Sequence, residues 1–384
     1  MNRYYGKRIM AVVLLLALLS TACGSATGKT EPLTTSSGME TTKSSIKTET
    51  TTAAASTVAN PVESTAEKLN TITVTDAGGK QVTLPQNVKS IVVCCYGGVT
   101  HELAALGVQD KIVAQPDMKK FPVLASMYPE FNGLPFVGSF DDVNVEEILK
   151  LKPDVVINSV TSNKGNGALE NAGITVLQAL TGKGNVEKVK TEFSTMGKAF
   201  GNPEQAEKLI GYWKEKIDIL QKIESEITKK KKVYYMLGAE THTNGPGWWG
   251  DDFIQTAGGI NAAADLKDGR DTSIEQVVKW NPDVIILSEN EGKYMAVNDI
   301  LGDSQLQNIN AIKNKQVYEV PIGTFWWDRP SPESVLGFMW LAKTLYPEET
   351  KNIDLKKETS DFYKTFFNHD LSDAEYEAFL NPVR

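Results

Sequence analysis

The chain has 384 residues, a formal net charge of −8, and 41% hydrophobic and 8% aromatic residues. This acidic balance argues against a nucleic-acid partner, which would require a basic face. The length is enough for two ordinary lobes in addition to a leader and a linker.

Residues 1–23 predict a signal peptide, because three basic residues precede a short apolar run, Ile9–Leu19. A run of about 11 residues is too short to cross a bilayer, which needs about 20. The segment ends in Ser-Thr-Ala-Cys, which predicts a bacterial lipoprotein with Cys23 as the lipid acceptor. We therefore expect an extracytoplasmic protein, lipid-anchored to the cell membrane. The alternative is ordinary secretory cleavage beside an incidental cysteine.

Residues 24–69 are rich in Ser and Thr and contain no aromatic residue. Such a composition cannot bury enough apolar surface to offset the entropy of the chain. The sequence therefore predicts a disordered tether between the anchor and the folded part.

The N-terminal lobe is predicted to span residues 70–183. It opens on a hairpin signal, Asp-Ala-Gly-Gly between two short strands, and then alternates strands with helices. That alternation indicates an α/β fold with a parallel sheet covered on both faces. The predicted strands are Thr71–Thr75, Gln81–Leu84, Ile91–Val93, Ile112–Ala114, Val155–Asn158 and Thr175–Leu177, and the predicted helices are Val145–Leu151 and Ala168–Ala172.

Residues 184–230 interrupt this alternation. Apolar residues at helical spacing predict one long helix, Glu204–Thr228, as a rigid spine between the lobes. Residues 231–384 restart the pattern as a C-terminal lobe with terminal helices. Its predicted strands are Val233–Leu237, Val284–Leu287 and Gln316–Val320, and its predicted helices are Asp252–Thr256, Ile274–Lys279, Pro332–Leu345, Lys356–Phe367 and Asp373–Leu380.

One phrase occurs twice: EEILKLKPDVVI begins at residue 146 and EQVVKWNPDVII begins at residue 275. A second pair of similar segments, IVVCCYGGVTH and KVYYMLGAETH, occurs in the same order. The copies lie much further apart than the roughly 20–50 residues of a solenoid repeat. The repetition therefore predicts two lobes built on one plan.

These motifs resemble the extracytoplasmic substrate-binding proteins of class III ABC importers. The resemblance rests on the DAGG-x-x-V-x-LP opening, both E-x6-PD phrases, GGIN at 258–261 and PSPESVLGFMWLAKTLYPE at 330–348. It implies two Rossmann-like lobes joined by one long rigid helix, with a ligand cleft between them. It also implies a monomer without a cofactor of its own, which captures an iron–siderophore complex, haem or a corrinoid. One branch of the family handles molybdate and tungstate.

The resemblance further implies that Glu146 and Glu275 dock on the permease dimer, which works with its ATPase. One carboxylate on each lobe can orient the protein on its partner, since charged pairs across an interface favour correct docking. The alternative is that each Glu only stabilises the first turn of a helix.

Ligands of open α/β sheets bind beyond the carboxyl ends of the strands. The residues that follow the predicted strands are rich in aromatic side chains, which suit a flat or apolar ligand, and include Arg329, which suits an anion. Phe325, Trp326 and Trp327 have an alternative role in core packing, and we expect at least one of them to be core. The predicted ligand-binding residues are Tyr96, Thr100, His101, Ser159, Thr161, His242, Trp248, Trp249, Trp326, Trp327 and Arg329.

Two further pairs of residues carry open hypotheses. His101 and His242 follow equivalent strands and could clamp haem or a metal across the cleft, or could each serve only a loop or helix start. Cys94 and Cys95 end an apolar run, which favours buried small side chains over a thiolate ligand or a redox role.

Four functions compete. The first is a receptor that hands an iron chelate, haem or corrinoid to a permease, and the second is a molybdate or tungstate receptor. A third, a surface enzyme, finds no support, because the sequence has no Gly-x-Ser-x-Gly elbow, no His-Glu-x-x-His and no phosphate loop. The fourth is a sensor that binds ligand without transport.

Overall fold

The computed structural model of the protein describes residues 70–382 except residue 268. The predicted signal peptide with Cys23 and the tether 24–69 lie outside these residues. Among the helices of the described part, none is long and apolar enough to span a bilayer.

The chain begins with the predicted hairpin. Strands β1 (Thr71–Thr75) and β2 (Gln81–Pro85) pair antiparallel, and the turn between them is organised by Asp76. Asp76 Oδ1 accepts hydrogen bonds from the amides of Gly78 and Lys80, while its Oδ2 accepts one from the amide of Gln178. The last bond fastens the hairpin to the sheet that follows.

The first parallel sheet confirms the alternation of strands and helices. Its strands lie in the order β4 (Ile112–Ala114), β3 (Ile91–Val93), β7 (Val155–Ser159) and β8 (Val176–Ala179), and Cys94 and Cys95 directly follow β3 in the chain. The pair β5-β6 is a small antiparallel arm. The elements are β3 (Ile91–Val93), α1 (Val99–Ala105), β4 (Ile112–Ala114), α2 (Pro122–Met127), β5 (Gly138–Ser139), β6 (Asp142–Val143), α3 (Val145–Leu151), β7 (Val155–Ser159), α4 (Asn163–Asn171) and β8 (Val176–Ala179).

The interlobe segment 184–230 contains two helices, α5 (Val186–Phe200) and α6 (Pro203–Glu226). The break has a local cause. Gly201 ends α5 in the left-handed conformation with φ 85°, and Pro203 begins α6 at a position where its missing N–H costs nothing. The predicted long helix, Glu204–Thr228, is therefore confirmed as α6, which has 24 residues and buries Trp213 completely, whereas α5 was not predicted as a separate helix.

The second parallel sheet repeats the topology of the first. Its strands lie in the order β10 (Ile260–Asn261), β9 (Lys232–Leu237), β11 (Val284–Ser288) and β12 (Val317–Glu319), so in both sheets the strand that comes first in the chain lies between the second and the third. Strand β10 was not predicted, because two residues are too few for a periodic signal. The elements are β9 (Lys232–Leu237), α7 (Trp249–Thr256), β10 (Ile260–Asn261), α8 (Ile274–Trp280), β11 (Val284–Ser288), α9 (Val297–Gly302), α10 (Asn310–Lys313) and β12 (Val317–Glu319).

Three helices complete the described chain, as predicted: α11 (Ser334–Leu345), α12 (Leu355–Phe367) and α13 (Asp373–Leu380). Helix α11 is buried along most of its length and packs against both α6 and α12. Single 3-10 turns occupy Gln109–Lys111, Met118–Lys120, Pro129–Gly133 and Ala264–Leu266.

The repeated phrase has the same local structure in both copies. Helices α3 and α8 each begin at a capping side chain, Asn144 or Ser273, and each ends at a left-handed residue with φ 48° directly before the proline. The following aspartates, Asp154 and Asp283, each accept a hydrogen bond from a backbone amide at the start of the central strand. The duplication inferred from sequence is thus a duplication of structure.

Candidate functional site

A cavity of about 840 Å³ lies beyond the carboxyl ends of the strands of both parallel sheets. This volume is within the range of about 300–1,000 Å³ that small-ligand sites occupy. Its walls combine aromatic rings, three cationic side chains and two carboxylates. The aromatic residues are Tyr96, Phe121, Phe140, Trp248, Trp249, Phe325 and Trp326, the cations are Lys120, Arg270 and Arg329, and the acids are Glu289 and Glu291.

The predicted binding residues divide into two groups. The first group lines the cavity: Tyr96, Thr161, Trp248, Trp249, Trp326 and Arg329. The second group is not part of its lining: Thr100, His101, Ser159, His242 and Trp327.

His101 is buried in α1, with 2% of its surface exposed. Its Nε2 lies 2.9 Å from the carbonyl oxygen of Thr324, and its ring contacts those of Phe121 and Phe325. Burial lowers the pKa of His101 to about 3, although the Thr324 carbonyl opposes the shift. The imidazole is therefore neutral, and Nε2 carries the proton that the carbonyl accepts.

His242 has different surroundings. It lies in the turn after β9, and its Nδ1 is 2.7 Å from Asp271 Oδ1. The two histidines therefore do not face each other across the cavity, because one belongs to a buried helix and the other to a turn. In the range that the structure covers, no group of three or more His, Cys, Asp and Glu side chains is placed to hold a metal ion.

Three predicted residues lie behind the cavity wall. Thr100 and Ser159 are buried, and the Ser159 hydroxyl is 2.7 Å from that of Thr161, which does line the cavity. Trp327 is fully buried, and its Nε1 donates to Glu333 Oε2 over 3.1 Å. Trp327 is thus core, whereas the neighbouring aromatic residues of the same loop face the cavity.

Arg329 is held by its surroundings as a cation. Its guanidinium donates to the carbonyl of Glu289 and lies 3.5 Å from the hydroxyl of Ser288. Burial acts to lower the pKa of Arg329, but the neighbouring Tyr235, Asp328 and Glu289 reverse the shift and raise it. The hydroxyl of Tyr235 in turn donates to Asp328, which is fully buried. A fixed positive charge therefore faces the cavity.

Arg270 is a second cavity arginine, which the sequence did not indicate. Its guanidinium carbon lies 4.6 Å from the ring centroid of Trp248, an arrangement typical of a cation–π contact. Burial, followed by the charge of Arg329, lowers the pKa of Arg270. Arg270 does not follow a strand of its own sheet, so the rule that placed the other candidates could not find it. The backbone amide of Thr243, a residue that does not line the cavity, donates a hydrogen bond to the carbonyl of Arg270. This bond holds the loop that carries Arg270.

Lys120 is the third cation and was also missed. It ends a 3-10 turn after β4, and its ammonium nitrogen lies 4.4 Å from the ring centroid of Tyr96. The Tyr96 ring is also stacked against that of Phe140, with centroids 6.3 Å apart. The wall that follows the first sheet thus offers a positive charge above an aromatic surface.

Three N–H groups on lining residues are buried and find no hydrogen-bond partner within the described chain: Trp249 Nε1, Trp326 Nε1 and Arg270 Nε. Each of these atoms is a donor only. Buried polar groups in proteins are normally satisfied. Because these three atoms have almost no accessible surface, they do not identify a ligand, and it is the cationic side chains that suit the cavity to an anionic or oxygen-rich ligand.

The two acids lie together on one rim. Glu291 adopts the left-handed conformation with φ 54°, and the amide of the following Gly292 donates to the carboxylate of Glu289. The Glu289 carboxylate is therefore already engaged by its own loop. The lining as a whole carries three cations and two carboxylates, so the cations outnumber the acids by one.

Cys94 and Cys95 are free and buried. Burial raises the pKa of Cys94 to about 12, and it raises that of Cys95 as well. Both side chains are therefore neutral thiols at physiological pH, which fits the packing interpretation of the pair.

Comparison with known proteins gives concordant results. The periplasmic binding protein family matches residues 92–322. The molybdate-binding protein MolA of Haemophilus influenzae is 28% identical over 77% of this chain and 90% of its own length. The uncharacterised ABC transporter substrate-binding lipoprotein YvrC of Bacillus subtilis is 29% identical over 73% of this chain and 87% of its own. A periplasmic solute-binding protein from Veillonella parvula superimposes with a TM-score of 0.69 at 30% identity, covering 81% of this chain and 97% of that structure.

Proposed function

The chain belongs to the periplasmic binding protein family, the substrate-binding proteins of ABC importers, and we propose that it captures an anionic iron chelate and delivers it to a permease. The observation that carries this proposal is the pairing of cations with aromatic rings in the cavity. Arg270 lies over Trp248 and Lys120 over Tyr96, at 4.6 Å and 4.4 Å from the ring centroids.

A ferric siderophore complex matches both components of this wall. It presents acceptor oxygens and often a net negative charge, which suit the two arginines and Lys120. Its organic scaffold offers a surface that can lie against the rings. Haem, with its propionates, meets the same requirements. A corrinoid carries mostly amide groups, so it makes less use of the charges.

Molybdate or tungstate is the second candidate, and the similarity to MolA favours it. The arginines suit a tetrahedral oxyanion. The volume does not favour it, because four oxygens occupy on the order of 100 Å³ at about 30 Å³ per water-sized unit, whereas the cavity measures about 840 Å³. An oxyanion would leave most of the aromatic wall without contact.

Binding of a defined panel tests the proposal. The full chain in detergent is titrated with a ferric tricatecholate, a ferric trihydroxamate, haem, cobalamin and molybdate, and tryptophan fluorescence is recorded. We expect saturable binding of a ferric complex or haem, because Trp248 and Trp326 line the cavity. Saturable binding of molybdate alone would replace the iron chelate with an oxyanion as the ligand.

We further propose that lipid on Cys23 anchors the chain to the membrane and that residues 24–69 extend it from the surface. The lipoprotein YvrC supports this by similarity. We also propose two lobes, 70–183 and 231–384, each carrying one docking glutamate. In support, Glu146 and Glu275 are both exposed in the first turn of equivalent helices.

A further inference from the structure

The loop that follows β12, residues 321–330, is here called the cleft loop. It supplies Phe325, Trp326 and Arg329 to the cavity wall. A loop that carries two aromatic rings and a charged group to a ligand must hold them in one orientation, since each side chain left free costs binding entropy. What fixes this loop is found on its side away from the cavity.

Thr324 is the point at which the cleft loop is held. All three of its polar groups are taken, by residues of α12 and α1 and by Glu333, which directly precedes α11. Its amide donates to the Tyr363 hydroxyl of α12 over 2.9 Å, and its hydroxyl donates to Glu333 Oε1. Its carbonyl accepts from His101 Nε2 of α1 over 2.9 Å. Thr324 is itself buried, with 2% of its surface exposed.

Glu333 joins these contacts into a network. It is fully buried, and its Oε2 accepts from the Tyr363 hydroxyl over 2.8 Å and from Trp327 Nε1 over 3.1 Å. The carboxyl group therefore binds the cleft loop at Thr324 and Trp327, on either side of Trp326. Trp326, which lies between these two residues in the chain, lines the cavity.

The cleft loop is closely packed near both of its ends. A Cβ at Gly323 would lie 2.2 Å from both Glu333 Oε2 and the Tyr363 hydroxyl. At the other end of the loop, a Cβ at Gly98 would lie 3.1 Å from the Pro330 carbonyl oxygen, and Gly98 has φ 87°. Both close approaches need glycine, so the loop packs tightly against the network at Gly323 and against Gly98 at Pro330.

We propose that Tyr363, Glu333 and His101 are positioning residues for ligand binding, which act through Thr324 to present Trp326 and Arg329 to the cavity. None of the three lines the cavity, so their effect on affinity is indirect. This inference rests on the proposed function for its ligand readout only. The order of the cleft loop can be measured without any ligand.

A matched pair of variants tests the proposal. Tyr363→Phe removes the hydroxyl that bridges Thr324 and Glu333. Tyr346→Phe is the control, because the Tyr346 hydroxyl is also a bridge, accepting from the amide of Lys231 and donating to the carbonyl of Gly258 over 2.9 Å each. The two substitutions delete the same group from comparable networks, but only the first network contacts the cleft loop.

Two measurements are made on the full chain in detergent. Amide hydrogen exchange of the peptide covering residues 321–330 reports the order of the loop. Titration with a ferric tricatecholate complex reports affinity. We expect Tyr363→Phe to accelerate exchange in this peptide and to weaken binding by about tenfold, the effect of roughly one hydrogen bond. Tyr346→Phe should leave the exchange rate of the loop peptide and the affinity within about twofold of the parent values, even if the thermal stability of this variant falls.

The outcomes separate the two proposals. Equal effects of both variants on loop exchange and affinity would mean that Tyr363 only stabilises the fold, and this would overturn the inference. If the parent does not bind the ferric complex, the proposed ligand is lost, while loop exchange still decides whether Tyr363 positions the loop. If Tyr363→Phe does not fold, Thr324→Val removes the hydroxyl that donates to Glu333 and is judged by the same criteria.

Discussion

His101 Nε2 lies 2.9 Å from the carbonyl oxygen of Thr324. This contact links α1, which follows the first strand of the first sheet, to the cleft loop, which follows the last strand of the second sheet. The sequence placed His101 at the cavity as a possible ligand to haem or metal. Its position instead makes it a neutral hydrogen-bond donor. The contact connects the segments that carry the two walls of the cavity.

The first prediction concerns the acid side of the stability profile. The folded pKa of His101 is about 3, well below the ordinary value of 6.5, because burial disfavours the charged ring. Between about pH 6.5 and 3, the imidazole of His101 is protonated in the unfolded chain but not in the folded chain. The free energy of unfolding therefore falls as the pH falls through this range. The slope is about 1.4 kcal/mol per pH unit for one proton.

The substitution His101→Gln removes the titrating ring and can keep a donor for the Thr324 carbonyl. We expect its urea unfolding free energy to depend less on pH between 6.5 and 3 than that of the parent. His242→Gln is the control, since His242 lies in a turn and pairs with the exposed Asp271. If the unfolding free energy depends on pH equally in the parent and in His101→Gln between pH 6.5 and 3, the lowered pKa of His101 is contradicted.

The second prediction concerns the opposite limb. Burial raises the pKa of Glu333 to about 8, although hydrogen bonds from Tyr363 and Trp327 oppose the shift. The folded chain then retains a proton that the unfolded chain has lost, so this contribution to stability is complete below about pH 4.5. It is lost as the pH rises to about 8.

The variant Glu333→Gln removes this titration while retaining a side chain of similar shape. We expect the unfolding free energy of the variant to be flatter than that of the parent between pH 5 and 8, even if its absolute value is lower by about 1–3 kcal/mol for imperfect hydrogen bonding. A parent whose stability does not decline in this range would show that Glu333 is ionised in the fold. Glu375→Gln, on α13, is the control, and we expect it to leave the dependence of the unfolding free energy on pH between 5 and 8 as it is in the parent.

The repeated segments show how far sequence could predict this structure. The E-x6-PD phrases specify a cap, a helix, a left-handed turn and a strand through local residue preferences, and α3 was predicted to the residue. The Gly-x-x-Thr-His segments did not behave in this way. In the first copy the helix α1 begins directly and buries His101, whereas in the second a turn follows and His242 pairs with Asp271. The same residue types therefore adopt different positions in the two copies, because their tertiary surroundings differ.

The candidate site was predictable only where a strand end supplies the side chain. Tyr96, Thr161 and Arg329 follow strands and line the cavity as expected. Arg270 and Lys120 come from loops whose course depends on long-range contacts, and periodicity carries no information on such contacts. The buried state of Trp327 beside the cavity-lining Trp326 was likewise set by Glu333, a residue from another element.

The third prediction tests the missed arginine. Arg270→Gln should weaken binding of a ferric tricatecholate by about 10- to 100-fold, because a charged hydrogen bond contributes about 1.5–3 kcal/mol. Fluorescence titration of the full chain measures this effect. Lys198→Gln, an exposed residue of α5, removes the same charge away from the cavity and should leave affinity unchanged. An unchanged affinity in Arg270→Gln would remove Arg270 from the ligand site.

The fourth prediction separates docking from ligand capture. Reversing both exposed charges, Glu146→Arg with Glu275→Arg, should abolish uptake of labelled ligand in cells while affinity in solution stays within about twofold, since charge complementarity acts on association with a partner. The control is Glu147→Arg with Lys279→Glu, which alters neighbouring exposed charges on the same two helices. This control should retain transport, because the resemblance assigns docking to Glu146, which precedes Glu147 in α3, and to Glu275, which lies about one turn before Lys279 in α8. A double reversal that lowers affinity and transport together would place the two glutamates in ligand binding or folding, and not in docking.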